Sequence, residues 1–182
     1  YVLNAAINHY VEGSLVKLPN KTILEYHASL PTSSGLGTSG AMNVVWLALI
    51  TKFKDRYQLP ELAYKIENAT KVVGGKQDQY AAVFGGINFF RFTNSHKVRV
   101  ERLKLRSDVL KKLENRLFLD YTGPRMSSDV NQTIVTNFVR GNKKTVNSFK
   151  EIIENVKRMK NALLDSDLDL FASLLNKEWM WR

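Results

Sequence analysis

Apolar and polar positions along this chain change period several times, and the changes divide it into short elements. Leu3, Ala5 and Ile7 alternate weakly with Asn4, Ala6 and Asn8. Between Thr22 and Leu30 the alternation is cleaner, with Ile23, Glu25 and His27 opposite Leu24, Tyr26 and Ala28. A period of two puts successive side chains on opposite faces, so both stretches are predicted strands. From Ser39 to about Tyr57 the apolar residues Val44, Val45, Leu47, Ala48 and Ile50 recur at helical spacing. Pro60, allowed in a first turn, opens a second helix carrying Leu62, Ala63, Ile66 and Ala69, which Lys71 to Gly75 break. Asp78 to Phe84 reads as a short helix ended by Gly85 and Gly86. Ile87 to Phe92 reads as a strand that pairs with Val98 to Leu103. Beyond these the pattern predicts a helix over Ser107 to Asn115, a strand over Arg116 to Tyr121 and a turn at Thr122 to Arg125. Helices follow over Asn131 to Val139, Thr145 to Leu164 and Asp167 to Trp179, the last introduced by Asp165-Ser166-Asp167 as a capping group. This mixture is an α+β chain without internal repeats or long low-complexity tracts.

The run Pro31-Thr32-Ser33-Ser34-Gly35-Leu36-Gly37-Thr38-Ser39-Gly40-Ala41 stands directly before the first predicted helix. Glycine admits positive φ and close backbone approach, and a helix N-terminus presents unpaired N–H groups with partial positive charge. Together they suit a polyanion such as a phosphate chain. Thr38 and Ser39 add hydroxyl donors or a magnesium ligand. No Lys-Ser or Lys-Thr follows the last glycine, so the run is not a Walker A loop, and it lacks the dinucleotide G-x-G-x-x-G spacing. On composition alone the same run is a loop with a helix cap.

Composition narrows the classes. With 182 residues and 44% hydrophobic content the chain can bury a sizeable core. It has no cysteine, which removes disulfides, thiolate metal sites and cysteine nucleophiles and suits a reducing cytosol. No stretch approaches the roughly 20 apolar residues needed to span a bilayer, and Tyr1 to Asn8 lacks the form of a signal peptide. We therefore expect a soluble, cytoplasmic protein. The net charge of +10 suits nucleic acid as well as a phosphorylated substrate. Lys97 to Lys112, however, interleaves its basic residues with Val98, Val100, Leu103, Leu105, Val109 and Leu110, as a strand and a helix with solvated basic faces do. Without a zinc-finger spacing or an RNA-binding aromatic motif, the charge is read as attraction for small phosphorylated molecules. His9, His27 and His96 have no short ligand spacing and are read as structural, and Trp46, Trp179 and Trp181 as core or interface residues. No Gly-x-Ser-x-Gly elbow supports a serine hydrolase.

On the residues alone, Asp78 offers a carboxylate that could accept a proton and orient an attacking oxygen. Its plain alternative is a helix N-cap after Gly74-Gly75. Lys76, two residues earlier, could depress the aspartate's pKa, touch a phosphate oxygen or simply face solvent. Arg125 with Ser127 and Ser128 forms a polar turn in which a guanidinium fork can bind phosphate, or in which a serine caps a helix.

The Pro31 to Ala41 run resembles the second motif of the GHMP kinases, Pro-x-x-x-Gly-Leu-Gly-Ser-Ser-Ala, departing from it at Thr38 and Gly40. Gly74-Gly75-Lys76-Gln77-Asp78-Gln79-Tyr80-Ala81-Ala82-Val83-Phe84-Gly85-Gly86 resembles the segment that carries the catalytic aspartate in the sugar-kinase branch. With Tyr121-Thr122-Gly123 and Arg125-Met126-Ser127-Ser128 its wording is most similar to the heptose 7-phosphate kinases and their relatives. The resemblance implies a GHMP kinase fold, with a ribosomal protein S5 domain 2-like N-terminal part over residues 1–105 and part of a ferredoxin-like C-terminal domain over residues 106–182. It implies an ATP-dependent sugar kinase acting on a hydroxyl of a sugar or sugar phosphate, with the anomeric hydroxyl of heptose 7-phosphate first. Galactose, fucose and mevalonate-type acceptors are the alternatives, as is a non-catalytic nucleotide-binding regulator. Asp78 becomes the catalytic residue; Ser34, Gly35, Leu36, Gly37, Thr38 and Ser39 hold the ATP phosphates; Ser39 and Glu67 hold Mg²⁺; and Lys76, Gln77, Arg125 and Ser127 meet the substrate. Expected partners are ATP and a sugar phosphate, with a homodimer allowed and neither membrane nor nucleic acid expected. The chain begins without Met and ends at Trp179-Met180-Trp181-Arg182, and the resemblance leads us to expect a glycine-rich first motif before it and a third after it. The connection from Val11-Glu12-Gly13 to Lys21-Thr22-Ile23 is shorter than the family's strands imply, so we expect residues to be absent there.

Overall fold

The computed structural model describes residues 1–31, 33–70, 74–93, 97–124 and 128–181. The elements run β1 (Val2–Ala5), β2 (Val11–Leu18), β3 (Lys21–Ala28), α1 (Thr38–Ile50), α2 (Gln58–Ala69), α3 (Gln77–Phe84), β4 (Ile87–Phe92), β5 (Val98–Arg102), α4 (Ser107–Arg116), α5 (Ser128–Val139), α6 (Lys143–Leu164) and α7 (Leu168–Trp181). They gather into two compact units, one of residues 1–5, 86–120 and 132–182, the other of residues 6–85 and 121–131.

In the first unit β1, β4 and β5 form an antiparallel sheet in that order, with Leu3 opposite Phe89 and Phe90 opposite Val100. Its core joins Phe89, Leu103 and Val156, and Val109 and Leu113 of α4 pack with Leu163 and Leu168, with Leu3 and Ile87 lying against them. Asn142 caps α6 by accepting from Thr145 N at 3.1 Å, and Asp167 accepts from Leu170 N at 2.9 Å where α7 begins. The sequence expectation of a boundary at Leu105 therefore falls inside this unit, because α4 buries its apolar face on the strands that precede it.

In the second unit β2 and β3 form a hairpin, Leu18 facing Lys21 across Pro19-Asn20. Helices α1, α2 and α3 pack on one another, and α1 also lies against β2. Val44 and Leu47 of α1 and Ala63 of α2 are buried together, with Trp46, Leu62, Ile66 and Val83 around them. This core holds α1, α2 and α3 together, and the starts of α1 and α3 with the last turn of α2 carry the candidate site.

Three sequence expectations change. Val11–Leu18 is a strand, which the weak alternation of Val11, Gly13 and Leu15 did not announce. Residues 117–124 form no strand: Leu117, Phe118 and Leu119 are exposed, and an apolar run without a pairing neighbour cannot satisfy its backbone as a sheet. Helix α1 stops at Ile50, where Thr51 turns to extended backbone and its hydroxyl donates to the Leu47 carbonyl. Trp46 packs in the core, whereas Trp179 is 77% exposed. Among the described residues no helix is long and apolar enough to cross a membrane.

Candidate active site

The glycine-rich run becomes a tight loop whose backbone alternates in hand, with positive φ at Ser33, Gly35 and Gly37. Alternating conformations of this kind turn successive N–H groups toward one concavity that suits an anion. Gly37 is the N-cap of α1, in the left-handed region at φ 77° and ψ 20°, so it has no side chain with which to cap the helix. The first turn of α1 contains no acidic residue, and its leading N–H groups have no partner within the helix. The hydroxyl oxygens of Ser34 and Thr38 are buried without a hydrogen-bond partner among the described residues. A buried hydroxyl left unpaired costs about 1–3 kcal/mol, so two in one loop beside an uncapped helix end fit a ligand rich in acceptor oxygens.

Asp78 lies against this loop. A Cβ placed on Gly37 would stand 3.0 Å from both Cβ and Cγ of Asp78, and one placed on Gly40 would stand 3.0 Å from Asp78 Cβ. Two glycines thus bring the start of α1 onto the start of α3, closer than side chains would allow. Asp78 is the second residue of α3, while Lys76 occupies the N-cap position, so the capping alternative for Asp78 is not the one adopted. A carboxylate in a first helical turn also gains from the helix dipole.

Glu67, near the end of α2, reaches the same place. Its Oε1 accepts from Ser39 Oγ at 3.0 Å, and its Oε2 accepts from Gln79 Nε2. Ser39 and Glu67 are hard oxygen donors of the sort Mg²⁺ prefers, and Mg²⁺ commonly takes only one or two protein ligands and fills its remaining positions with water and phosphate oxygens. Among the described residues no group of three or more His, Cys, Asp or Glu forms a metal cage.

Lys76 is placed otherwise than the sequence suggested. Its ammonium binds both carboxylate oxygens of Glu61, at 2.8 and 2.9 Å, and Tyr80 OH donates to Glu61 Oε1 at 2.7 Å. The pair is largely covered, with the side chains 19% and 28% exposed. Lys76 and Tyr80 flank Asp78 at two residues on either side, so this cluster ties the start of α3 to α2. Gln77 folds over Gly75. Arg125 and Ser127 lie outside the described residues, as does His96. Sequence reasoning missed Glu61 and Gln79; Glu61 stands between Pro60 and Leu62 in a helix with one buried face, while Gln79 follows Gln77 and Asp78 and carries no such signal.

Burial pushes the Glu61 carboxyl up, but the hydrogen bonds from Lys76 and Tyr80, with the charges of Lys76 and Lys65, outweigh it and hold the group below its ordinary value of 4.5. Burial and the neighbouring carboxylate push the Tyr80 phenol well above its ordinary range. A depressed carboxyl stabilises the fold fully above its unfolded value, and that contribution is lost as pH falls through the lower folded value. Glu61→Gln is accordingly expected to lower stability at neutral pH and to flatten the acid limb of the stability curve below the ordinary value of 4.5. Thermal unfolding across an acid pH series, wild type against variant, measures both effects.

Comparison with known proteins follows the same residues. Residues 2–86 match the family described as the GHMP kinases N terminal domain. The chain is 31% identical over 180 residues to a D-glycero-alpha-D-manno-heptose 7-phosphate kinase of Campylobacter jejuni, covering 96% of this chain and 52% of that protein. It is 25% identical over 162 residues to a bifunctional fucokinase/GDP-fucose pyrophosphorylase of Arabidopsis thaliana, covering 84% of this chain and 15% of that one. A crystal structure described as a D-glycero-D-manno-heptose 1-phosphate kinase from Bacteroides thetaiotaomicron superposes with a TM-score of 0.71 at 22% identity, over 99% of this chain and 69% of that one, which shows a shared fold. The chain spans about half the length of the Campylobacter relative.

Proposed function

We propose that this protein, whose residues 2–86 match the GHMP kinases N terminal domain, is an ATP- and Mg²⁺-dependent sugar kinase whose acceptor is a sugar phosphate, the anomeric hydroxyl of a heptose 7-phosphate first among them. The observation that carries this reading is the junction of α1 and α3, where Asp78 abuts Gly37 at the mouth of an uncapped helix with two unpaired buried hydroxyls. The heptose assignment is supported by the Campylobacter relative, which is named for that substrate. Residues 106–182 are assigned to the C-terminal, ferredoxin-like part of the family's fold, a division by family rather than by compactness.

In the proposed reaction the loop from Ser34 to Ser39 binds the ATP phosphates through backbone N–H groups and hydroxyls, positioned for charge that spreads over the transferring group. Asp78 accepts the proton of the acceptor hydroxyl while that oxygen attacks the γ-phosphorus; the bond to the bridging oxygen breaks and ADP leaves. Ser39 and Glu67 would hold Mg²⁺, which when bound neutralises charge on the phosphate oxygens. Lys76, engaged with Glu61, acts by fixing α3. Arg125 and Ser127 are proposed to meet the substrate phosphate.

The test is to incubate the full natural chain with ATP, Mg²⁺ and a panel of sugars and sugar phosphates, reading ADP and the product by mass. Transfer to heptose 7-phosphate is expected. Transfer to fucose, galactose or a mevalonate-type acceptor would keep the kinase and replace the acceptor; nucleotide binding with no transfer would overturn the enzyme reading in favour of a regulator.

A further inference from the structure

Glu67 is a long side chain at the last turn of a helix, where the dipole disfavours negative charge, so something must hold its carboxylate at the loop. Ser39 holds Oε1 from α1. The other oxygen is held by Gln79, which follows Asp78 directly in α3 and is only 1% exposed. Gln79 is an expensive residue to bury: its amide offers a carbonyl and two N–H donors, and its Oε1 has no hydrogen-bond partner among the described residues. An apolar side chain of equal volume would fill the same space without that cost.

We propose that Gln79 is a positioning residue for the cation. Its Nε2 orients the Glu67 carboxylate toward Ser39, and its unpaired Oε1 accepts a hydrogen bond from a water carried by the bound Mg²⁺. The inference rests on the reading of Ser39 and Glu67 as metal ligands and deepens it by adding a residue that touches the metal only through others. It also accounts for the order Asp78-Gln79 in the chain: one helical turn presents the proposed base to the loop and the amide to the metal carboxylate, so that the two are set by a single element. Outer partners of this sort typically change metal affinity by about 10–100-fold when removed.

The experiment uses Mn²⁺ as a spectroscopic stand-in, titrated into the full natural chain with a non-hydrolysable ATP analogue and followed by electron paramagnetic resonance. Gln79→Met keeps the volume and removes both hydrogen-bonding ends; it is expected to weaken Mn²⁺ binding about tenfold or more, with an unchanged melting temperature and an unchanged KM for the sugar acceptor. Where that variant fails to fold, Gln79→Asn keeps the amide and withdraws its reach, with the same expectation. Ser39→Ala and Glu67→Gln are run beside it. Wild-type Mn²⁺ affinity in the Gln79 variant, with weakened binding in the other two, would overturn the role of Gln79 and leave the proposed function standing. Wild-type affinity in all three would instead remove the metal assignment itself.

Discussion

Asp78→Asn in the full natural chain is expected to fold as wild type does, bind nucleotide and lose about a hundred- to ten-thousand-fold in kcat, the range that a positioned general base supplies. The amide is the same size as the carboxylate, so the contact with Gly37 and Gly40 survives. What changes is the capacity to accept a proton. Part of any stability cost is the lost attraction of the carboxylate to the dipole of the helix in whose first turn Asp78 lies, about 0.3–1 kcal/mol. Steady-state kinetics with a melting curve and a nucleotide titration check the three parts together. Full turnover by this variant would remove Asp78 from the chemistry.

Gly37→Ala is the second large effect, and it works through the backbone. At φ 77° a residue with a Cβ costs about 1–2 kcal/mol. The added methyl would also meet Asp78 at 3.0 Å from Cβ and Cγ and 3.3 Å from Oδ1. Either the loop flattens, and its N–H groups turn away from the concavity, or α3 shifts and takes Asp78 with it. Displacement by about 1 Å can cost a hundredfold in rate, so we expect at least that loss in kcat together with a lowered melting temperature. The same measurements as for Asp78→Asn distinguish the two variants: one loses chemistry alone, the other chemistry and stability.

The parts of this molecule legible in the sequence are those whose pattern is local. Helices α3, α4, α6 and α7 bury one face each, and a one-sided face leaves a 3.6-residue period that can be read from Val109 and Leu113 or from Val156 and Met159. Strands β4 and β5 are short runs rich in β-branched and aromatic residues, close enough in the chain to pair as a hairpin. What could not be read is pairing across distance. Leu117, Phe118 and Leu119 have strand-like composition but no neighbouring strand among the described residues, whereas Val11–Leu18, diluted by Gly13 and Ser14, becomes a strand because β3 lies beside it.

The candidate site divides along the same line. The loop and Asp78 were legible because glycines, hydroxyls and a carboxylate stand in two compact motifs. Glu61 and Gln79 acquire meaning only when α2 and α3 pack and place them against Lys76 and Glu67. Lys76 shows the converse: its position two residues before Asp78 suggested a phosphate contact, whereas its ammonium pairs with the largely covered Glu61 carboxylate of α2.

In the proposed reaction the γ-phosphoryl group passes directly from ATP at the loop to a hydroxyl deprotonated by Asp78. The most direct test of this transfer follows the full natural chain with ATP made chiral at the γ-phosphorus by oxygen isotopes, reading the configuration of the phosphorylated sugar by phosphorus NMR. A single in-line displacement predicts inversion. Retention would require two displacements through a phosphorylated enzyme, and would contradict the assignment of Asp78 as base rather than nucleophile.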